Sequence, residues 1–229
     1  MHEKESIHEE IRNEAINDYD PANEPKKISP APLFYIVAFF IGLSLILMVI
    51  PHYNITSDAE PRTVPSREEL ITGEMPDNIT RPDNGDIRLY MDTTSPLIKQ
   101  TSIRVATAGC NRETICQAKA IFYFVRDNFK YVGEIDQYTQ TPTEMLYNGG
   151  GDCKDFSVLL ASMQRAIGVP VRFVFVPGHV YVQIYIQDAP RKYKTTDGWI
   201  PLEATCSDCG FGEIPRHYDE RTKRIVWAS

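Results

Sequence analysis

Residues 149–155 read GGGDCKD, and Cys153 among them is the side chain in this sequence best placed to act as a nucleophile. Three successive glycines suit neither helix nor strand, since each loses more backbone entropy than any other residue; they suit a loop that turns tightly or approaches something closely. Asp152 is a natural N-cap, and Asp155 sits where a capping-box acid reaches back. Cys153 therefore falls in the first turn of a helix, where unpaired N–H groups and the positive dipole end favour a thiolate. The alternative is a buried structural cysteine. A cysteine nucleophile needs a base, and the base needs a third group to orient it. His179 is the candidate base: it opens a strand just past the turn Pro177-Gly178, whereas His52 and His217 lie in polar connecting segments. Glu203, between Leu202 and Ala204, is an acid on an otherwise apolar strand, which calls for a partner.

The elements that must position these groups follow from periodicity. Phe156, Val158, Leu159, Leu160, Ala161, Met163, Ala166 and Ile167 recur at helical spacing up to the stop Gly168-Val169-Pro170. The period then changes to two. Val171–Val176 and His179–Ile186 read as strands joined into an antiparallel hairpin, Trp199–Ala204 as a third strand, and Ile225–Ala228 as a candidate fourth. Upstream, residues 112–130 carry one apolar stripe at helical spacing, Pro142 and Glu144 open a short helix, and Leu97–Ala106 is ambiguous between helix and strand. Helices first and an antiparallel sheet afterwards predict an α+β domain.

The stretch GGGDCKDFSVLLASMQRAIGVPVRFVFVPGHVYVQIYI, followed by WIPLEAT, resembles the transglutaminase-like, papain-related superfamily. That family's pattern has Gly-Asp-Cys opening a helix, Gly-(Ile/Val)-Pro ending it, a His heading the next strand and a later Trp-x-x-Leu-Asp-x-Thr supplying an acid. The resemblance spans roughly Ile115 to Thr205. It implies a transglutaminase-like or papain-like core of helices packed on an antiparallel sheet, with Cys153 as nucleophile, His179 as general base and acid, and Glu203 orienting His179. Glu203 stands where Asp is usual, and the aromatic that often follows the histidine is displaced to Tyr181.

The chemistry implied is acyl transfer through a thioester on Cys153, with helix-start N–H groups stabilising the oxyanion. Water resolving the thioester makes a peptidase or amidase, the expected activity; an amine such as lysine makes a cross-linking transglutaminase. A non-enzymatic interaction module on the same fold is the competing class, and Cys206-x-x-Cys209 raises a thiol–disulfide reading, though without the βαβ context of a thioredoxin-like site. The expected partner is a protein or peptide substrate, and no cofactor or catalytic metal is expected.

The rest of the chain concerns placement. Leu33–Ile50 is an eighteen-residue run without a charge, bracketed by Pro32 and Pro51. At helical rise it covers about 27 Å, close to the roughly 30 Å of a bilayer core, so residues 33–50 are expected to form one N-terminal transmembrane helix, a signal anchor contacting lipid. Lys26 and Lys27 precede it and the next basic residue is Arg62, which puts the N-terminus in the cytoplasm. The expected organisation is an acidic, disordered cytoplasmic tail over 1–32, the span over 33–50, an extracytoplasmic tether over 51–86 and the catalytic domain over 87–229. In the tail, His2 and His8 read as solvated surface residues. Glu68–Ile71 suggests a helical turn within the tether, and part of that segment could pack on the domain. Asn54-Ile55-Thr56 and Asn78-Ile79-Thr80 are N-glycosylation sequons on the outer side. All five cysteines follow the span: Cys110 with Cys116 and Cys206 with Cys209 form close pairs that fit disulfides, while Cys153 stands alone. A structural zinc at the four paired cysteines is the alternative. A net charge of −7, with no basic patch, excludes nucleic acid as an expected partner.

Overall fold

The structure, a computed structural model, describes residues 9, 12, 31–49, 58–82, 85–133, 138–219 and 221–228. The expectations for most of the acidic tail, with His2, His8, Lys26 and Lys27, and those for His52 and the sequon at Asn54 lie outside the described residues. The chain divides into two units, Met1–Asn54 and Ile55–Ser229.

In the first unit, helix α1 (Ala31–Val49) carries no acidic or basic residue in its terminal turns, and apolar side chains such as Phe34, Tyr35 and Met48 are exposed. Among the described residues no helix is long and apolar enough to cross a membrane. The span expected over 33–50 is thus not supported by the structure.

The second unit begins with a strap. Residues 58–82, expected within a tether, run along the domain and are tied to it at several places. Lys119, fully buried, bonds Asp58 Oδ1 at 2.7 Å, Glu60 and the Tyr193 hydroxyl at 3.1 Å. Burial opposes charge on these groups, yet hydrogen bonds with the opposite partners win: Asp58 is held well below the usual carboxylate range and Lys119 well above the usual amine range. Next, Ser66 caps the short helix α2 (Arg67–Leu70), and Arg67 donates to the carbonyls of Leu146 and Tyr147 at 3.1 and 3.0 Å. Finally Arg81 pairs with the buried carboxylate of Glu144, which also accepts from the Tyr138 hydroxyl at 2.7 Å; despite burial, these partners lower Glu144 to about 2.

A 3₁₀ turn at Ile87–Tyr90 leads into α3 (Pro96–Ala108), which resolves the ambiguous stretch as helix. Then come α4 (Thr114–Asn128), β1 (Lys130–Tyr131), α5 (Pro142–Asn148), β2 (Gly150–Gly151) and α6 (Cys153–Ala166). The strands β3 (Val171–Val176), β4 (His179–Ile184) and β5 (Ile200–Leu202), the short α7 (Arg216–Asp219) and β6 (Arg224–Trp227) complete the chain. The sheet order is β5-β4-β3-β6, antiparallel at every pair, with Val176 opposite His179 across the Pro177-Gly178 turn. The α+β expectation, with helices on an antiparallel sheet, is met.

Helix α6 is the centre of the domain. It packs on β3 and β4 on one side and on α3, α4 and α5 elsewhere. Every residue from Asp155 to Gln164 is buried. The apolar ones, Phe156, Val158, Leu159, Leu160 and Met163, each contribute about 1.5–3 kcal/mol relative to exposure. Its polar residues are spaced to meet partners on neighbouring elements: Ser157 donates to the carbonyl of Val180 on β4, Ser162 accepts from the N–H of Asp92, and Gln164 donates to the carbonyl of Ala118 on α4. The Ser157 bond, one turn beyond Cys153, fixes the start of β4 against the start of α6.

Candidate active site

The loop that presents Cys153 is held from three directions. Gly149 ends α5 in the left-handed region at φ 72°, which glycine adopts without strain. Gly150 and Gly151 then pair in parallel with Lys130 and Tyr131, with Lys130 N–H donating to Gly149 and Val132 N–H to Gly151. A Cβ on Gly151 would lie 2.4 Å from Asp155 Oδ2 and 2.7 Å from Gln140 Nε2, so only glycine fits. The sequence marked this run as a close approach; what it approaches is the capping carboxylate.

That carboxylate organises the turn. Asp152 accepts from the N–H groups of Lys154 and Asp155 at 2.7 and 3.2 Å, and Asp155 accepts in return from the N–H of Asp152 at 3.0 Å, completing a capping box. Asp155, fully buried, also accepts from the N–H and the side-chain amide of Gln140 at 2.7 and 3.0 Å. Burial pushes Asp155 upward more than these bonds pull it down. Gln140 ties the ensemble together by donating to the carbonyl of Gly150 at 2.9 Å and accepting from Asn148 at 2.7 Å. Nothing in the sequence near Gln140 singles it out, because its role depends on the long-range pairing of two-residue strands.

Cys153 is partly exposed and is the free cysteine among the described residues. The other four form the bonds Cys110–Cys116 and Cys206–Cys209. His179 stands at the first position of β4, whose start the Ser157–Val180 bond holds against the start of α6, and its Nε2 lies 2.5 Å from Glu203 Oε2. With Nε2 engaged by the carboxylate, Nδ1 is the ring nitrogen left for a further partner. Burial alone would lower the imidazole, but hydrogen bonds to Cys153 and Glu203 and their charges raise it to about 9. Glu203 is buried to 1% exposure and is itself anchored, its Oε1 accepting from the N–H and hydroxyl of Thr205 at 3.1 and 2.5 Å. It sits one residue past the end of β5 rather than within a longer strand, because pairing with β4 stops at Leu202. From that corner the extra methylene of glutamate still lets the carboxylate reach the ring.

Two aromatic residues near the sulfur were not singled out by sequence. Tyr131 on β1 has its phenol raised by burial and by the charges of Cys153 and Asp152. Tyr218 on α7 stacks on the His179 ring, with centroids 4.4 Å apart and planes 8° from parallel. Tyr181, expected as the displaced aromatic, is buried with Val174 and Val176 on the same sheet face as His179. His217 stays exposed, and its ring lies beside that of Tyr218. Asn78 and Thr80 of the second sequon are exposed.

Residues 100–204 match the family described as the transglutaminase-like superfamily. The matched stretch, which contains Cys153, His179 and Glu203, is similar to that superfamily. Solved structures similar to it include a candidate cysteine protease from Cytophaga hutchinsonii, 19% identical, with 53% of this chain covering 43% of that one at a TM-score of 0.39. LapG of Legionella pneumophila is similar at 18% identity, with 71% of this chain covering 83% of that one at a TM-score of 0.41. This chain thus spans less than half the length of the Cytophaga protein, and at such scores neither likeness speaks to activity. No curated protein matches the sequence.

Proposed function

We propose that this protein is a thiol enzyme that breaks amide bonds in a protein or peptide substrate, with water as the acceptor. The observation that carries the reading is the contact of His179 Nε2 with the buried carboxylate of Glu203, at the start of a strand that Ser157 ties to the helix opened by Cys153. In the reaction, the Cys153 sulfur attacks the amide carbon while its proton resides on His179. The developing oxyanion meets the N–H of Cys153; those of Lys154 and Asp155 are consumed by the Asp152 cap. His179 then protonates the departing amine, leaving a thioester on Cys153 and a neutral imidazole. Water, deprotonated by that imidazole, releases the acid and restores both groups. Glu203 keeps Nε2 engaged throughout, so the ring presents Nδ1 to the chemistry.

The proposed setting is the outer face of a membrane, with the N-terminus in the cytoplasm. Its supports are the charge-free run over 33–50, the exposed apolar side chains of α1, the two disulfides, which suit an oxidising compartment, and the exposed sequon at Asn78. Carbonate washing of membranes tests the anchor: full-length chain should stay in the pellet and a chain starting at residue 58 should not. Extraction of the full-length chain would end that part of the proposal.

Incubation with a peptide library, followed by mass spectrometry with and without added lysine, tests the reaction. Cleavage or a one-dalton deamidation that depends on Cys153 supports hydrolysis; lysine adducts in place of both would assign amine transfer instead.

A further inference from the structure

The superfamily match ends at residue 204, yet the imidazole of His179 is covered by a residue beyond it. Tyr218 lies face to face with that ring, and the segment carrying it is fixed in place from several sides. Its own ring packs against Val174, Val176 and Tyr181, the cluster on the outer face of the sheet. Arg221 donates to the carbonyl of Pro177 at 2.7 Å, tying the residues after α7 to the hairpin turn that leads into His179. Lys223 bonds Asp219 at 2.6 Å, closing the same segment on itself. The side chain of His179 is left 7% exposed.

We infer that Tyr218 is a positioning residue for His179: its ring, supplied by the segment after the superfamily domain, holds the imidazole in the plane that reaches both Cys153 and Glu203. Three physical effects point the same way. An imidazole at a strand start can swing about χ1 and χ2, and a parallel ring at stacking distance removes the out-of-plane half of that freedom. The electron-rich face of a phenol favours the imidazolium. A ring over the Nε2–Oε2 contact also keeps water from competing for it, which strengthens the bond in a low-dielectric setting. The hydroxyl of Tyr218 plays no part in this, so the face of the ring is what matters.

The inference rests on the reading of Cys153, His179 and Glu203 as reacting partners, and its test separates the two. In the full-length chain, Cys153 alkylation by iodoacetamide at pH 6.5 is compared for wild type, Tyr218→Phe, Tyr218→Leu, Tyr218→Ala and His179→Ala, alongside the NMR signals of the His179 ring protons. Phe should retain the wild-type rate and the ring-current displacement of the His179 signals. Leu and Ala should lose that displacement and slow alkylation about tenfold, the scale of a lost aromatic pair. Leu fills the space without a ring, so it remains informative if Ala does not fold. A wild-type rate in Leu, or a rate in Phe as low as in Leu, overturns the role given to Tyr218. If His179→Ala itself alkylates like wild type, the reacting-partner reading fails, whereas the ring-current shifts still report whether the stack exists.

Discussion

Nε2 of His179 lies 2.5 Å from Oε2 of Glu203, and the hydroxyl of Thr205 holds the other carboxylate oxygen at the same distance. The acid is thus bonded at both oxygens and buried, so it can orient the imidazole but cannot swing to solvent. The same contact helps raise His179 to about 9.

A pH dependence follows from that raised value. The ordinary imidazole loses its proton near 6.5; in the folded protein it does so near 9, so the charged ring is fully present below 6.5 and disappears as pH rises through about 9. Alkylation of Cys153 by the anion iodoacetate, which the imidazolium attracts, should hold up to about pH 8 and fall as pH rises through about 9, whereas alkylation by neutral iodoacetamide should not. Glu203→Gln should move the iodoacetate limb to lower pH. A limb that stays put in that variant would mean Glu203 does not set the charge of His179.

The glycine loop makes a steric prediction. Gly151→Ala places a methyl against Asp155 and Gln140, both buried and fully bonded. Overpacking of this kind costs about 1–3 kcal/mol, and the strain falls on the cap that aims Cys153. Thermal unfolding should show the loss, and iodoacetamide should show slowed alkylation. Gly73→Ala, in an open left-handed turn on the strap, should lower stability without touching Cys153 reactivity.

The strap predicts an asymmetry. Removing Asp58 and Glu60 together leaves Lys119 buried without its carboxylates, which costs about 3–5 kcal/mol. Lys119→Met leaves two carboxylates that reach water and should cost clearly less. Denaturant midpoints of the two variants decide it; equal losses would mean the buried ammonium is already hydrated.

Much of this arrangement was legible in the sequence, and what was missed shares a cause. Helix α6, the hairpin and the positions of Cys153 and His179 follow from local signals: a cap, a period of 3.6 and then of two, and a Pro-Gly turn. The pattern around Glu203 predicts a strand residue, whereas it sits at the corner after β5, since strand ends depend on the partner strand rather than on the residue's own pattern. The strap over 58–82 reads as a tether because it is Pro-rich and poor in large apolar residues; besides the buried Leu70, much of its attachment is by Asp58, Glu60, Arg67 and Arg81, whose composition is that of a solvated segment. Gln140 and Tyr218 were invisible for the same reason. Each acts through a contact distant in sequence, with no local pattern to mark it.

The central claim is that Cys153 and His179 act as one reacting unit, and the iodoacetamide rate of Cys153 at pH 6 tests it most directly. The account predicts alkylation about a hundredfold faster than free cysteine, whose thiol is almost wholly protonated at that pH, and loss of the advantage in His179→Ala. A wild-type Cys153 that reacts no faster than free cysteine, or one indifferent to His179→Ala, would contradict it.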